Sequence, residues 1–268
     1  MRQSWRGQNL RRTNASSGIG AIYADRLARR DYELILVARS HGKLSQLAKR
    51  LGNETGRTIE IVAADLNNSE DLRGVENVLR TDDRITLQVN NAGIGAAGPL
   101  LSSDVNKMDE MISLNVRALT RLTYAAVPSL VARGGGTIIN MASTVGIAPE
   151  VLNGVYGGTK AFVLAFSLSL HKELAEKNIR VQAALPGATA TDFWDLAGVP
   201  ASNLPSAIVM KADAMVDAAL AGLDQSELVT IPSLPEIGDW QAYEAARQKM
   251  MPDLSRSTPA ARYTRSVA

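Results

Sequence analysis

The stretch Leu34-Ile35-Leu36-Val37-Ala38 is a compact apolar run that indicates the fold class of the chain. A strand that is covered on both faces has this composition, because neither face meets water. Four similar runs follow it: Ile59–Ala63, Ile85–Val89, Thr137–Met141 and Ile179–Ala184. Helical patterns alternate with them: Ile19–Arg30, Lys43–Leu51, Glu70–Leu79, Val105–Val131 and Val155–Lys177. This alternation predicts an α/β fold, a doubly wound parallel sheet with helices on both faces.

We expect one domain over residues 1–252, followed by a polar tail over residues 253–268. No Pro/Gly/Ser-rich linker divides the chain. After an irregular segment, Ala188–Ser206, a helix is predicted over Ala207–Leu223, a strand over Leu228–Ile231 and a helix over Trp240–Met250. The weak point is residues 1–12, an atypical basic start. Its candidate first strand, Gln8–Arg12, is poor in apolar residues, so either tertiary context forces it to form or this edge of the sheet is altered.

Composition excludes several classes of chemistry. The 268 residues contain no cysteine, which rules out disulfides, thiolate metal sites and cysteine nucleophiles. The two histidines, His41 and His171, lie far apart in the sequence. A zinc enzyme or a histidine-dependent triad is therefore disfavoured, and we expect no metal.

Charge and hydropathy point to neither nucleic acid nor membrane. The chain carries 29 basic and 27 acidic residues, and its excess of positive charge comes from Arg2, Arg6, Arg11 and Arg12. This is one short segment and not a basic face, so a nucleic-acid arm is not expected. The longest apolar run, Ala161–Phe166, is too short to cross a bilayer, and no secretory leader opens the sequence. We expect a cytoplasmic protein.

Two short motifs follow predicted strands at the edge where a ligand crevice is expected. Thr13–Gly20 (TNASSGIG) precedes a helix, and its glycines would bring helix N–H groups onto a pyrophosphate. Asn90-Asn91-Ala92-Gly93 comes directly after the Ile85–Val89 run. Taken singly, each motif is equally explained by a capped helix start or by an ordinary turn.

Tyr156 and Lys160 are spaced i,i+4 on a predicted helix, so both side chains lie on one face. An ammonium beside a phenol is expected to lower the pKa of the phenol, which suits proton transfer near neutrality. Ser143, just after the Thr137–Met141 run, supplies a hydroxyl at the same edge, although alone it is equally a cap.

The order and spacing of these motifs resemble those of the short-chain dehydrogenase/reductase family over residues 13–232. The resemblance implies a Rossmann-like domain that transfers a hydride between a nicotinamide cofactor and a carbonyl or alcohol. It implies a catalytic tetrad of Asn115, Ser143, Tyr156 and Lys160. The implied cofactor contacts include Ser16, Ser17, Gly18, Ile19, Gly20, Asn91, Ala92, Gly93, Tyr156, Lys160, Pro186, Gly187, Thr189 and Thr191, and also the pair Asp65 and Leu66 after the third strand.

The end of the second strand favours NADP over NAD, with NAD still possible. An acidic residue there would pair with the ribose diol, but the chain has Ala38 followed by Arg39, whose guanidinium can bind a 2′-phosphate. The alternative is a solvated arginine at a strand end. One departure concerns Asn14, which stands where the family has its first motif glycine. Asparagine tolerates a left-handed backbone, but its side chain occupies space near the cofactor.

The loops predicted to line the substrate pocket are almost wholly apolar. The residues expected to contact substrate are Ile94, Val145, Leu152, Phe193 and Trp194, and the Ala188–Ser206 segment is expected to act as a lid. This favours a neutral, moderately apolar carbonyl or alcohol. Ala161–Phe166 is apolar around its helix, which favours a homodimer or homotetramer over burial within one chain. A rival hypothesis is a non-catalytic nucleotide-sensing or scaffold protein with the same fold and impaired cofactor binding.

Overall fold

A computed structural model describes residues 9–13 and 17–264 of the chain. Within these residues, seven parallel strands form one sheet in the order β3-β2-β1-β4-β5-β6-β9. They are β1 (Asn9–Thr13), β2 (Glu33–Ala38), β3 (Ile59–Ala63), β4 (Ile85–Asn90), β5 (Gly136–Met141), β6 (Ile179–Ala184) and β9 (Val229–Thr230). A short parallel pair, β7 (Thr189–Ala190) and β8 (Met210–Lys211), lies between β6 and β9 in the chain.

The helices cover both faces of this sheet. They are α1 (Gly18–Ala28), α2 (His41–Thr55), α3 (Ser69–Thr81), α4 (Val105–Ile112), α5 (Leu119–Ala132), α6 (Gly154–Leu174), α7 (Phe193–Leu196) and α8 (Ala212–Asp224). A further helix, α9 (Ile237–Met250), follows them in the chain. Helices α1, α2 and α8 share one apolar core with the sheet, and α3, α5 and α6 pack on the other face. The predicted doubly wound parallel sheet with helices on both faces is confirmed.

The doubtful first strand forms, close to its predicted position. Strand β1 pairs with β2 on one side and with β4 on the other, so its backbone lies in the middle of the sheet. Pairing with two apolar neighbours outweighs a composition that is unfavourable for a buried strand. The strand order also reverses between β1 and β4, which places the ligand crevice of this fold at their carboxyl ends.

The helix predicted over Val105–Val131 is interrupted. It divides into α4, a π-helical turn over Ser113–Ala118, and α5. A π-helical turn widens the helix by one residue, and such turns are frequent at functional sites. Here it carries Asn115, whose side chain is buried.

The helix predicted over Ala207–Leu223 begins later, at Ala212. Residues Ser206–Ile208 form a 3₁₀ turn, and Met210 donates its N–H to the carbonyl of Ala188 at 2.9 Å. Met210 and Lys211, just before α8, therefore pair as strand β8 with β7 (Thr189–Ala190). This pairing holds the chain on either side of the predicted lid together.

Helix α6 is not buried around its whole circumference. Val163 and Leu164 are buried, Ala165 is exposed, and Phe162 and Phe166 are half-buried. The rings of these two phenylalanines stack with their centroids 5.6 Å apart. One apolar face of α6 thus stays partly open to solvent.

A chain of buried amides and hydroxyls joins the central strands to two helices. Asn90 Nδ2 donates to Asn140 Oδ1 at 2.8 Å and to Thr123 Oγ1 at 3.1 Å. Asn140 Nδ2 in turn donates to Ser167 Oγ at 2.9 Å, and Gln88 Nε2 donates to Asn90 Oδ1 at 3.0 Å. Because buried polar groups need partners, this network fixes how β4 and β5 meet α5 and α6.

The contacts divide the chain into two compact units, Met1–Pro232 and Ser233–Ala268. Within the second unit, α9 carries a stacked pair, Trp240 and Tyr243, and an ion pair between Glu244 and Arg247 at 2.7 Å. The domain boundary predicted after residue 252 falls inside this unit, and the extent of the domain stays a prediction.

Candidate active site

Tyr156 and Lys160 lie one turn apart in the first part of α6, and both are buried. Lys160 Nζ donates to the carbonyl oxygen of Met141, the last residue of β5, at 2.9 Å. The same nitrogen lies 5.8 Å from the centre of the Tyr156 ring. The helix start and the carboxyl end of a central strand are therefore joined at this pair.

Ser143 follows β5 and completes a cluster of hydroxyl groups. Its Oγ donates to the carbonyl of Pro186 at 3.2 Å. Ser143 also lowers the pKa of the Tyr156 phenol, so the two hydroxyls lie close to each other. The two hydroxyls thus face the same point at the sheet edge, as an acid and a polarising donor on one carbonyl oxygen would have to.

Burial dominates the electrostatics of this pair. It raises the pKa of Tyr156 to about 12, although the hydrogen bond with Ser143 lowers it in part. Burial also lowers the pKa of Lys160 to about 8. The pKa of the Tyr156 phenol is therefore raised and not lowered as expected, because removing a phenolate from water outweighs the hydrogen bond with Ser143.

Asn115 holds the loop that follows β4. Its Oδ1 accepts from the N–H of Ile94 at 3.0 Å, and its Nδ2 donates to the carbonyl of Ile94 at 2.9 Å. The same Nδ2 donates to Thr159 Oγ1 at 3.1 Å, next to Lys160. The π-helical turn is what brings this side chain to the loop and to α6 at once.

The start of α1 fits a dinucleotide phosphate. Gly18 has a φ of +52°, and a Cβ built there would lie 3.3 Å from Thr191 Cγ2. The first turn of α1 carries no acidic side chain, so its N–H groups and dipole can meet a phosphate. Ser17 is exposed, Ile19 is half-buried and Gly20 is buried. Ser16 and Asn14 lie outside the described residues.

The segment after β4 fits the nicotinamide end of such a cofactor. A Cβ at Gly93 would lie 3.2 Å from Asn115 Oδ1 and 3.4 Å from Lys160 Nζ, so its absence keeps a space beside both groups. Asn91 and Ala92 are half-buried in the same segment. Across the crevice, Thr189 Oγ1 donates to the carbonyl of Gly187 at 3.1 Å.

The predicted contacts to the adenosine end of the cofactor lie at two neighbouring strand ends. Arg39 is exposed directly after β2, and Leu66 is buried shortly after β3. Asp65 Oδ1 accepts from the N–H of Asn67 at 3.0 Å, and this bond shapes the turn. The pairing of β2 with β3 places both turns at one edge of the sheet.

An apolar cluster packs around Tyr156. Met111 and Val145 are buried with it, and the half-buried members are Ile94, Ala96, Met108, Leu152, Val155 and Phe193. The Phe193 ring lies 5.7 Å from the Tyr156 ring and covers Gly95, where a Cβ would come within 2.8 Å of Phe193 Cε2. Four of the five predicted substrate residues are therefore in one cluster.

Trp194, the fifth, faces another way. It is buried, its indole N–H donates to the carbonyl of Thr189 at 3.0 Å, and its ring meets that of Phe193 edge-on. Trp194 therefore packs against Phe193.

The described residues hold no helix able to span a membrane and no cluster of three or more metal-binding side chains.

Comparison with known proteins decides the family. Residues 12–198 match the family model described as short chain dehydrogenase. The chain is a short-chain dehydrogenase/reductase. The family consists of NAD(P)-dependent oxidoreductases that act on alcohols and carbonyls, and this chain shares their Rossmann-like fold.

Three similar proteins illustrate the match. A short-chain dehydrogenase from Sphingobium yanoikuyae, solved in complex with NADPH, is 46% identical, with a TM-score of 0.93 over 96% of this chain and 100% of that one. A bulky-bulky ketone specific alcohol dehydrogenase from Comamonas testosteroni is 42% identical, with a TM-score of 0.88 over 96% and 99%. An oxidoreductase of Staphylococcus epidermidis is 32% identical over 74% of this chain and 87% of its own.

Sequence reasoning missed the contacts that two residues make near Tyr156. Asn153 caps α6 through its Oδ1, and Gly95 lies beneath the Phe193 ring. An asparagine just before a helical pattern is a recognisable capping signal. Nothing in the sequence relates Gly95 to Phe193, since about a hundred residues separate them.

The buried ammonium of this dehydrogenase predicts a stability effect. The folded pKa of Lys160, about 8, lies below the ordinary value of 10.5, so between these values the unfolded chain binds more protons. The contribution of Lys160 to the free energy of unfolding should therefore rise with pH over this window. Between pH 7 and pH 10, the free energy of unfolding of the wild type, measured with urea, should rise by on the order of 1–3 kcal/mol relative to that of Lys160→Met.

Lys172→Met, which removes an exposed lysine from the same helix, is the matched control and should show no such gain. Parallel stability curves for the wild type and Lys160→Met would contradict the assignment of a depressed pKa to Lys160.

Proposed function

We propose that the protein is an NADP(H)-preferring reductase or dehydrogenase of neutral, bulky, apolar ketones and the matching secondary alcohols. Tyr156 is its general acid and base, with Ser143, Lys160 and Asn115 as the other members of the tetrad. The observation that carries the proposal is the apolar cluster around the Tyr156 ring.

The charges around this cluster support a neutral substrate. The loops over residues 94–103, 142–158 and 188–208 contain no lysine or arginine. They do contain Glu150, Asp192 and Asp195, all exposed. A carboxylate or phosphate on the substrate would find no counter-charge in these loops, and burying it unpaired is strongly unfavourable. The relative from Comamonas, whose substrates are bulky-bulky ketones, supports the same substrate class.

The preference for NADP(H) rests on Arg39 and on a relative. Arg39 is exposed at the end of β2, where its guanidinium can fork onto a 2′-phosphate, and Ala38 before it offers no carboxylate to repel one. The relative from Sphingobium binds NADPH. Gly18, Gly93 and Thr191 would hold the rest of the cofactor, together with the other predicted contact residues.

The chain's own groups then account for the proton half of the reaction. When bound, the nicotinamide supplies or accepts the hydride. The Tyr156 hydroxyl gives its proton to the carbonyl oxygen while Ser143 Oγ donates a hydrogen bond to the same atom. The negative charge left on Tyr156 is stabilised by the Lys160 ammonium and by the nearby start of α6, whose dipole favours an anion. Asn115 keeps the loop after β4 in place.

The raised pKa of Tyr156 is consistent with its role as the acid. A phenol with a pKa of about 12 stays protonated at neutral pH, so the resting enzyme holds an acid. This state is the one that carbonyl reduction requires.

Two proposals concern the setting of the enzyme. We retain a cytoplasmic location from the sequence. We also retain a homodimer or homotetramer, and the partly open face of α6, where Phe162 and Phe166 stack, is the surface that supports it.

The role of Tyr156 is tested by Tyr156→Phe. The substitution removes the proton donor and keeps the ring, so turnover of any accepted ketone should fall by about 10²-fold or more. Cofactor affinity should stay nearly unchanged. Tyr124→Phe, at an exposed tyrosine, is the control and should keep full activity. Normal turnover by Tyr156→Phe would remove Tyr156 from the mechanism.

The role of Arg39 is tested by Arg39→Ala, measured by thermal shift against NADPH and NADH. A ligand that binds only the folded state raises the melting temperature, so the assay reports binding without turnover. The substitution should weaken the binding of NADPH by about 1–3 kcal/mol and leave the binding of NADH almost unchanged.

Lys177→Ala, which removes an exposed positive charge just before β6 begins, is the control. Equal losses for both cofactors would mean that Arg39 does not contact the 2′-phosphate. If neither cofactor shifts the wild type, the rival hypothesis of a non-catalytic nucleotide-sensing or scaffold protein is favoured.

The substrate class is tested with matched carbonyls and NADPH. We expect kcat/KM for a bulky diaryl ketone to exceed that for the same ketone bearing a carboxylate by about 10²-fold or more, because the pocket offers the anion no partner. A small keto acid is the third member of the panel. A preference for either anionic compound would contradict the proposal.

A further inference from the structure

The side chain of Asn153 uses both ends of its amide in hydrogen bonds. Its Oδ1 accepts from the N–H of Val155 at 2.9 Å and from the N–H of Tyr156 at 3.4 Å, which caps α6. Its Nδ2 donates to the carbonyl of Gly98 at 2.8 Å and to Ser103 Oγ at 3.3 Å. Asn153 itself is buried. One side chain thus joins the first turn of the catalytic helix to the loop after β4.

That loop, residues 97–103, is held at two places. Besides the bonds to Asn153, the N–H of Ala97 donates to the carbonyl of Ala197 at 3.2 Å, just after α7. Inside the loop, Ser103 Oγ lies 2.9 Å from the carbonyl oxygen of Pro99. Its tip carries Leu100 and Leu101, which are 82% and 98% exposed. The loop is therefore an apolar flap whose base is clasped by Asn153.

The choice of asparagine separates two roles. Aspartate, serine or threonine would cap α6 as well as asparagine does, because a cap needs only an acceptor. The two bonds to the loop need a donor. Among these capping residues, only asparagine has a carboxamide, whose oxygen accepts from the helix while its NH₂ group donates to the loop. The residue at position 153 is thus suited to a function beyond capping.

We propose that Asn153 is a positioning residue that couples the 97–103 loop to Tyr156. The N–H of Tyr156 is bound by Asn153 Oδ1, so a shift of Asn153 also shifts the backbone that carries the phenol. When the loop lies closed, the clasp holds the first turn of α6 in the geometry for proton transfer. When the loop opens, the buried Nδ2 loses its partners, which favours closure. This inference rests on the proposed function of Tyr156.

Asn153→Asp is the variant that separates the clasp from the cap. Aspartate has the same shape, retains the oxygen that accepts from the two N–H groups of α6 and adds a charge that suits a helix start. It loses both donors and places a carboxylate oxygen against the carbonyl of Gly98. Because this carboxylate is buried beside a carbonyl, we expect the melting temperature of Asn153→Asp to fall, whereas Asn153→Ser, which adds no charge, should stay within a few degrees of the wild type. We expect kcat for a bulky ketone to fall about tenfold or more, with NADPH affinity unchanged.

Two readouts distinguish positioning from a purely structural role. Lowering the pH protonates the carboxylate that Asn153→Asp introduces and restores one donor, so the kcat of this variant relative to the wild type should recover towards acid pH. Hydrogen exchange should be faster in residues 94–104 of the variant, because their clasp is lost. Asn68→Ser is the control for Asn153→Ser, because Asn68 Oδ1 also accepts from two N–H groups, at the start of α3. It should leave kcat unchanged.

The outcomes are distinct. Unchanged kcat and unchanged exchange in Asn153→Asp would reduce Asn153 to a cap and overturn the proposal. A change in KM alone would also overturn it, since the loop would then bind substrate without positioning Tyr156. If the wild type turns over no ketone, the proposed function fails, and the exchange data alone still decide whether the clasp exists.

Discussion

The site depends on one constraint, which is that all strands of the main sheet run in the same direction. Parallel strands bring their carboxyl ends to one edge, and here β4, β5 and β6 end beside one another. Lys160 is fastened to the last carbonyl of β5, and Ser143 to the carbonyl of Pro186 after β6. The buried amides of Asn90 and Asn140 lie immediately beneath these strand ends. Each of these side chains is therefore placed by backbone that the sheet has already fixed.

The burial that makes the site also governs its charges. Tyr156 and Lys160 are both removed from water, and each pKa moves towards the neutral form of its group. The Tyr156 hydroxyl therefore keeps its proton, whereas the Lys160 ammonium loses its proton more easily than an exposed lysine does. A preorganised site of this type stabilises charge that develops during the reaction and not charge that is present beforehand.

Much of this could be predicted from the sequence. The alternation of apolar runs with helical patterns predicts the sheet, since buried parallel strands have few compositions open to them. The spacing of Tyr156 and Lys160 places them on one face, as the structure has them. Strand β1 could not be predicted with any certainty, because its support comes from pairing with β2 and β4. The π-helical turn at Asn115 and the direction of the Tyr156 pKa were missed for a similar reason. Both depend on packing around one residue, which local sequence does not encode.

The contact between Gly95 and Phe193 has a consequence for how this pocket can change. The aromatic ring occupies the volume that any larger residue at position 95 would need, so the two positions share one space. Substitutions at 95 and 193 will not be additive, since each changes what the other position can hold. Pocket width in this enzyme is thus a property of a pair of sites about a hundred residues apart. A variant changed at only one of the two positions would be overpacked or would contain a cavity. Exchanging the small and the large side chain together would keep the total side-chain volume constant.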